Sequence, residues 1–247
     1  MDLNADLGEG FGIWSLGDDD ALLPLLSSAN VACGFHGGDG RIMRRVCAQA
    51  AAHGVRVGAQ VSYRDLAGFG RRRLEMAPDE LSADVVYQVG ALRAFAEIAG
   101  TSVRYIKAHG ALYNTAMVDA GQAGALADAA RELGLPLLGL PGSELERAAQ
   151  QHGITYFHEG FADRAYQPSG LLCPRGEPGA VLTQVEAVVA RSVEMSVRGR
   201  VPASDGSWLP VRLDSLCLHG DTPGAVGLAR AVRQALLAAG VEIRGFA

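Results

Sequence analysis

A lysine, a histidine and an amide lie close together in the segment Lys107-Ala108-His109-Gly110-Ala111-Leu112-Tyr113-Asn114. Lys107 is the single lysine among the 22 Lys and Arg residues of the chain. A compact ammonium group can shift its pKa, or direct a charge into a pocket, in ways that a guanidinium cannot. The run at 103–106 predicts a strand just before this segment, and a helical pattern follows it. We therefore interpret Lys107, His109 and Asn114 as functional residues at the end of a buried strand.

Other polar residues also follow predicted strand ends. They are Asp6 and Glu9; Asn30, His36 and Asp39; Gln60 and Asp65; Glu159, Asp163 and Arg164; and His219 and Asp221. Three of the six histidines, His36, His109 and His219, each precede a glycine, and glycine lets a ligand approach the backbone closely. In a β/α barrel all these strand ends lie on one face, where active sites are built.

One kind of chemistry open to these residues is metal-dependent hydrolysis. Asp6 and His36, with His109 or His219, could form an open Asp/His set that activates water. The chain contains no H-x-H or H-x-x-x-H pair, and scattered ligands are a weak signal. The sequence therefore favours a site with no metal, and Asp6, His36 and His109 are the expected ligands if one is present.

The other kind is metal-free acid–base catalysis. Here Asp6, Glu159, Asp163 and His109 would transfer protons, and Lys107 would stabilise a developing anion.

Strand and helix signals alternate seven times along the chain. The predicted strands are 2–7, 28–33, 55–60, 103–106, 136–140, 154–159 and 215–218. The predicted helices are a short one opened by 18–20, one ending at Gly54, one beginning at Pro78, and those at 121–133, 143–152, 179–198 and 223–239. Asp205-Gly206 predicts a hairpin within 201–213. The pattern indicates one domain, 1–247, with a TIM-like barrel of seven strands; an open doubly wound sheet is the competing topology.

Composition excludes several classes of function. Net charge of −5 and pI near 5.7, without a basic patch, argue against nucleic-acid binding. No apolar run is long enough to cross a bilayer, and no signal peptide is recognisable, so we expect a cytoplasmic protein. The four cysteines, Cys33, Cys47, Cys173 and Cys217, form no C-x-x-C pair, which predicts free buried thiols. The lysine lacks the flanking residues of a Walker A motif, so any nucleotide is bound without a P-loop or by another chain.

Six ordered motifs, covering nearly the whole chain, resemble the LamB/YcsF family. They are D-L-N-A-D-L-G-E-G-F-G (2–12), S-A-N-V-A-C-G-F-H-G-G-D (28–39), G-F-G-R-R (68–72), K-A-H-G-A-L-Y-N (107–114), E-G-F-A-D-R-A-Y (159–166) and H-G-D-T-P (219–223). The resemblance implies a seven-stranded β/α barrel related to the glycoside hydrolase/deacetylase barrels. It also implies cleavage of 5-oxo-L-proline to L-glutamate, coupled to hydrolysis of ATP to ADP and phosphate, in a complex with 5-oxoprolinase subunits B and C.

The expected cofactor is ATP with Mg²⁺, bound by this chain or by the partner subunits, and no tightly bound cofactor is expected. The chain departs from the family's pattern at two places. Ala108 stands where the family often has Lys-Pro-His-Gly, and Gln60-Val61 stands where it often has Gly-Ala-His-Pro. Gln60 would be a poor substitute for a metal-binding histidine, although it can orient a carboxamide or water.

The chemistry implied by the resemblance suggests a role for each residue. An unactivated lactam needs a better leaving group, which phosphorylation of the amide oxygen would supply. Lys107 and Arg164 would hold the substrate carboxylate or phosphate, Asp6 or Glu159 would be the base, and His109 or His219 would protonate the leaving nitrogen. The other expected substrate-binding residues are Asn30, His36, Gln60, Asn114, Asp163 and Asp221. Two alternatives remain: a stand-alone metal-dependent deacetylase or carbohydrate-active hydrolase, and a non-catalytic carbohydrate- or lactam-binding subunit.

Overall fold

Nine strands are present in the computed structural model, which describes residues 1–220 and 224–247. They are β1 (Asp2–Leu7), β2 (Ser28–Ala32), β3 (Arg56–Val61), β4 (Val103–Ala108), β5 (Leu137–Gly139), β6 (Tyr156–Phe161), β7 (Arg200–Pro202), β8 (Trp208–Pro210) and β9 (Ser215–Leu218). Seven close into a parallel barrel in the order β1-β2-β3-β4-β5-β6-β9, and β9 pairs with both β1 and β6. The predicted seven-stranded barrel is confirmed, and the open sheet is excluded.

Helices connect the barrel strands and cover them. They are α1 (Asp19–Leu22), α2 (Gly40–His53), α3 (Pro78–Ile98), α4 (Gly110–Ala116), α5 (Ala120–Leu133), α6 (Glu144–Gln151), α7 (Val185–Arg198) and α8 (Ala225–Ala238). The predicted capping residues act as expected: the side chains of Asp18 and Ser143 accept backbone N–H bonds at the starts of α1 and α6. Gly54 ends α2 in the left-handed conformation, with φ of 67°. No helix in the described part of the chain is long and apolar enough to cross a membrane.

Two predicted elements have different bounds in the structure. β6 begins and ends two residues later than predicted, and α7 begins at Val185 instead of residue 179. The residues before α7 are not helical because they run in extended pairing with the loop that follows β6, as the bridge between Arg164 and Val181 shows. The hairpin around Asp205-Gly206 is confirmed as β7–β8. The predicted start of the last helix at residue 223 lies outside the described residues.

A hydrogen-bonded polar layer fills the interior of the barrel below the strand ends. The Asp2 carboxylate accepts bonds from the hydroxyls of Ser28 and Ser215, and Asn4 donates to Ser215 and to Glu159. All five side chains are buried. Buried polar groups that satisfy one another hold a single arrangement, so this layer is a rigid base for the residues above it.

Candidate active site

A cavity of about 270 Å³ opens where the barrel strands end. Its wall combines side chains from the ends of β1, β4, β6 and β9 with the loops that follow β3 and β6: Asp6, Glu9, Phe69, Arg71, Lys107, Ala108, His109, Gly110, Ala111, Tyr113, Asn114, Phe161, Arg164, Leu172, Pro174, Arg175 and His219. Sites for drug-sized ligands have volumes of roughly 300–1,000 Å³. This cavity is therefore suited to a small substrate.

Lys107, at the end of β4, lies between two carboxylates. Its Nζ is 2.7 Å from Glu159 Oε1 and 3.2 Å from Asp6 Oδ1, and its side chain is only 2% exposed. Burial alone would lower the pKa of Lys107, but the charges of Asp6 and Glu159 outweigh burial and hold this pKa well above its usual value. The ammonium therefore stays charged at neutral pH.

The two carboxylates beside Lys107 face different surroundings. Asp6 lines the cavity and accepts a bond of 2.9 Å from Asn30 Nδ2. Burial raises its pKa, but the opposing charge of Lys107 is stronger and the net result is a lowered pKa, so Asp6 is ionised. Glu159 is fully buried behind the lysine, does not line the cavity, and has its pKa raised by burial. Asp6 can contact a substrate directly, whereas Glu159 acts on Lys107.

His219, after β9, is paired with the carboxylate of Asp163. The His219 Nδ1 lies 2.8 Å from Asp163 Oδ2, and the His219 backbone N–H donates to the same oxygen at 3.2 Å. Burial raises the pKa of Asp163, but the pairing with His219 outweighs it and lowers this pKa. Since Nδ1 donates to a carboxylate, Nε2 carries the lone pair, and no described residue bonds to it. This is the arrangement of an oriented acid–base histidine.

His109 lines the cavity from a second cluster beside the first. Its Nε2 donates to Phe69 O at 3.0 Å, and its Nδ1 accepts from Gln60 Nε2 at 3.0 Å. The Gln60 Oε1 in turn lies 3.3 Å from His36 Nε2. Burial, followed by the neighbouring His36, holds the pKa of His109 well below its usual value. Both ring nitrogens of His109 are engaged, and the imidazole is neutral.

Glu9, His36 and His109 bring their potential ligand atoms within 4.8 Å of one another, and Glu9 Oε1 lies 3.5 Å from His36 Nε2 and 3.3 Å from His109 Nδ1. Asp6, the carboxylate expected in a metal site, is instead paired with Lys107. However, the two imidazoles stack with centroids 3.8 Å apart and planes inclined by 10°. A zinc ion lies near the plane of each histidine ligand, about 2.0–2.1 Å from nitrogen. Two nearly parallel rings do not share such a position, so metal binding would require the rings to separate.

Three arginines bring positive charge to the cavity wall. Arg164 is only 4% exposed, and its guanidinium donates to Ala180 O at 3.2 Å and to Cys173 O at 2.5 Å. Burial, followed by the nearby charge of Arg175, lowers the pKa of Arg164. Arg71 lies over the ring of Phe69 on the opposite wall, 4.9 Å from its centroid.

The sequence profile of the LamB/YcsF family matches residues 1–247. The chain belongs to the LamB/YcsF family. Among its LamB/YcsF relatives, the 5-oxoprolinase A subunit of Streptomyces griseus is 61% identical over 249 residues and covers 100% of both chains. The corresponding 5-oxoprolinase A subunit of Mycobacterium avium is 59% identical, covering 100% of this chain and 98% of its own.

Solved structures agree with this assignment. The lactam utilization protein from Thermus thermophilus superposes with a TM-score of 0.95 at 46% identity, covering 100% of this chain and 99% of its own. A putative cellobiose-phosphate cleavage protein from Enterococcus faecalis has a TM-score of 0.56 at 11% identity, covering 98% and 95% of the two chains. The second likeness extends to the barrel fold alone.

The predicted residues of this LamB/YcsF chain fall into two sets. Those that line the cavity are Asp6, Lys107, His109, Asn114, Arg164 and His219. Those that lie beneath or behind them, in contact with lining residues, are Asn30, His36, Gln60, Glu159 and Asp163. Asp221 lies outside the described residues.

Sequence reasoning gave no role to two arginines of the cavity wall. Arg71 lies in the G-F-G-R-R motif, so its position in a recognisable motif could have identified it. Arg175 lies in the long loop after β6, where no pattern in the sequence marks it.

Proposed function

We propose that this chain is the A subunit of an ATP-dependent 5-oxoprolinase, the component that opens the lactam ring of 5-oxo-L-proline to give L-glutamate. The names of its relatives support the substrate and the complex. The observation that carries the proposal is the small cavity in which Lys107, held between two carboxylates, and the Asp163–His219 pair reach the same space. One cation and one acid–base group are what hydrolysis of an activated amide requires.

The proposed reaction balances with one ATP and two waters. ATP phosphorylates the lactam oxygen and leaves as ADP. A first water adds to the activated carbon, and protonation of the ring nitrogen then breaks the C–N bond to give an acyl phosphate. A second water cleaves the acyl phosphate to glutamate and inorganic phosphate. We assign the transfer of a proton from water to the ring nitrogen to His219 Nε2, because it is the unbonded nitrogen of an oriented imidazole facing the cavity.

Lys107 and Asp6 have complementary roles in this proposal. The ammonium stabilises negative charge on the oxygens of the tetrahedral intermediate. Asp6 has a lowered pKa and is therefore a weak base, so we assign it to orient the attacking water and Lys107. Glu159 positions Lys107 from behind, and His109, with both nitrogens engaged, forms a fixed wall of the substrate site.

Asn114 and Arg164 bind the polar groups of the substrate in this proposal, since both line the cavity. ATP with Mg²⁺ is bound by subunits B and C, because this chain carries no Walker A motif. The reaction takes place in the cytoplasm, where ATP is available.

The test is ATP-dependent glutamate release from 5-oxoproline, by this chain alone and with its partner subunits. We expect activity only with partners, and expect it to survive EDTA treatment followed by excess Mg²⁺. His219→Asn should abolish it, whereas His152→Asn, which alters a half-buried histidine paired with Asp128 at the end of α6, should not. Activity that returns with Zn²⁺ but not with Mg²⁺ would instead favour the metal-dependent hydrolase. No release with competent partners would refute the substrate.

A further inference from the structure

Arg164 carries a buried charge that no carboxylate neutralises directly. Its side chain reaches the cavity from the end of β6, yet no acidic group among residues 1–220 and 224–247 lies within ion-pair distance of it. Its bonds go to the carbonyls of Ala180 and Cys173, which are neutral. Buried charges in proteins are ordinarily paired, because transfer of an ion out of water is costly. A cation left in this state is matched to an anion that enters the cavity.

Arg175 adds a second positive charge at the same wall. It is exposed at the cavity and its guanidinium forms no hydrogen bond or ion pair with a described residue. The acidic group that couples to both arginines is Asp163, and its carboxylate is already bonded by the His219 ring and backbone. The excess positive charge at this wall is therefore available to a ligand.

The charge of Lys107, in contrast, is not available in the same way. The two carboxylates at 2.7 and 3.2 Å already neutralise its ammonium. The cavity thus has a neutralised cation at its floor and unneutralised cations at the wall formed by the loop after β6. This division separates the place where charge develops during reaction from the place where a permanent anion binds.

We propose that Arg164 and Arg175 form a phosphoryl-binding site, which holds the phosphoryl group of the activated lactam and also binds inorganic phosphate. Only the identity of the phosphorylated ligand rests on the proposed function. A carboxylate carries one charge and two oxygens, which one guanidinium fork satisfies. Arg164 uses part of its fork on backbone carbonyls, while Arg175 keeps all its donors, so the two together fit the three oxygens and double charge of a phosphoryl group.

The experiment is calorimetric titration of the full chain with phosphate, acetate, 5-oxoproline and the neutral lactam 2-pyrrolidinone at constant ionic strength. We expect phosphate to bind more tightly than acetate. Arg175→Gln should weaken phosphate binding by roughly 10- to 100-fold, the loss expected for a charge-assisted hydrogen bond. Arg175 is exposed, so this variant should fold normally. Arg230→Gln, on the exposed face of α8, is the matched control and should bind phosphate as the unaltered chain does.

A second measurement uses the reconstituted complex. Phosphate should inhibit glutamate release in the unaltered complex and should inhibit less in the Arg175→Gln complex. The inference is overturned if phosphate does not bind, if acetate binds as tightly as phosphate, or if Arg175→Gln and Arg230→Gln bind phosphate equally. Phosphate binding that depends on Arg175, in a chain that never supports glutamate release, would uphold the site and refute the proposed function.

Discussion

Replacing Lys107 by methionine should destabilise the barrel and make its stability depend on pH. The substitution keeps the length of the side chain but leaves Asp6 and Glu159 as two buried carboxylates with no cation between them. At an effective dielectric constant of about 20, each pair at 2.7 or 3.2 Å has about 5–6 kcal/mol of gross attraction. Desolvation offsets most of that, and removal of one partner from a buried pair costs about 3–5 kcal/mol.

The pH dependence follows from the same charges. Without Lys107, burial and mutual repulsion raise the pKa values of Asp6 and Glu159 in the folded state. A raised folded-state pKa stabilises the protein at low pH, and this stabilisation is lost as pH rises through that pKa. The deficit of Lys107→Met should therefore be largest near pH 8 and shrink toward pH 5.

Urea denaturation of the isolated chain at several pH values measures both effects. Adding Glu159→Gln to Lys107→Met removes one of the stranded charges and should recover part of the loss, with a coupling energy of about 0.5–3 kcal/mol. Arg198→Met, which breaks the exposed pair of Arg198 with Glu194, is the control and should cost no more than about 1 kcal/mol. A loss in Lys107→Met as small as that of the control, or one independent of pH, would refute the reasoning.

Three further outcomes are expected. Asp163→Asn leaves His219 without its orienting carboxylate and should lower kcat of the reconstituted complex by about 10²–10⁴-fold, with 5-oxoproline KM changed far less. The pKa of Asp163 is lowered in the folded state, so its stabilisation is present above the usual carboxyl range and is lost as pH falls through the lowered pKa; acid titrations should show a shallower loss in Asp163→Asn. Gly58→Ala places a Cβ 2.2 Å from the ring of Tyr105 and should cost at least about 1–3 kcal/mol in urea denaturation, whereas Gly124→Ala, in α5 with open space around it, should be neutral or slightly stabilising. Equal stability of the two alanine variants would contradict the packing argument.

Most of the barrel could be predicted because its signals are local. Caps at Asp18, Pro78 and Ser143 and the stop at Gly54 depend on nearest neighbours in the chain, and the structure places helix ends there. The start of α7 could not be predicted in this way. Pairing with the loop after β6 outweighs the helical pattern of its first residues, and that pairing joins segments whose contact the sequence does not reveal.

The strand-end residues were also predictable, but their partners were not. Asp163 and His219 are 56 residues apart, and Lys107 is 101 residues from Asp6. The sequence suggested Asp6 for a metal set with the histidines, whereas the fold gives Asp6 to Lys107 and brings Glu9 to the two imidazoles. No spacing rule predicts these contacts, because they depend on the register and the tilt of neighbouring strands.

The sequence by itself determined that seven strand–helix units share a face carrying acids, amides, three histidines and one lysine. It did so because alternation, capping and the position of polar residues after apolar runs are properties of short segments. Only the tertiary structure decided which charge neutralises which, and hence that Lys107 is matched while Arg164 is not. Closing the barrel sets the distances between strand ends, and electrostatic interactions in a buried site depend on those distances more than on residue type.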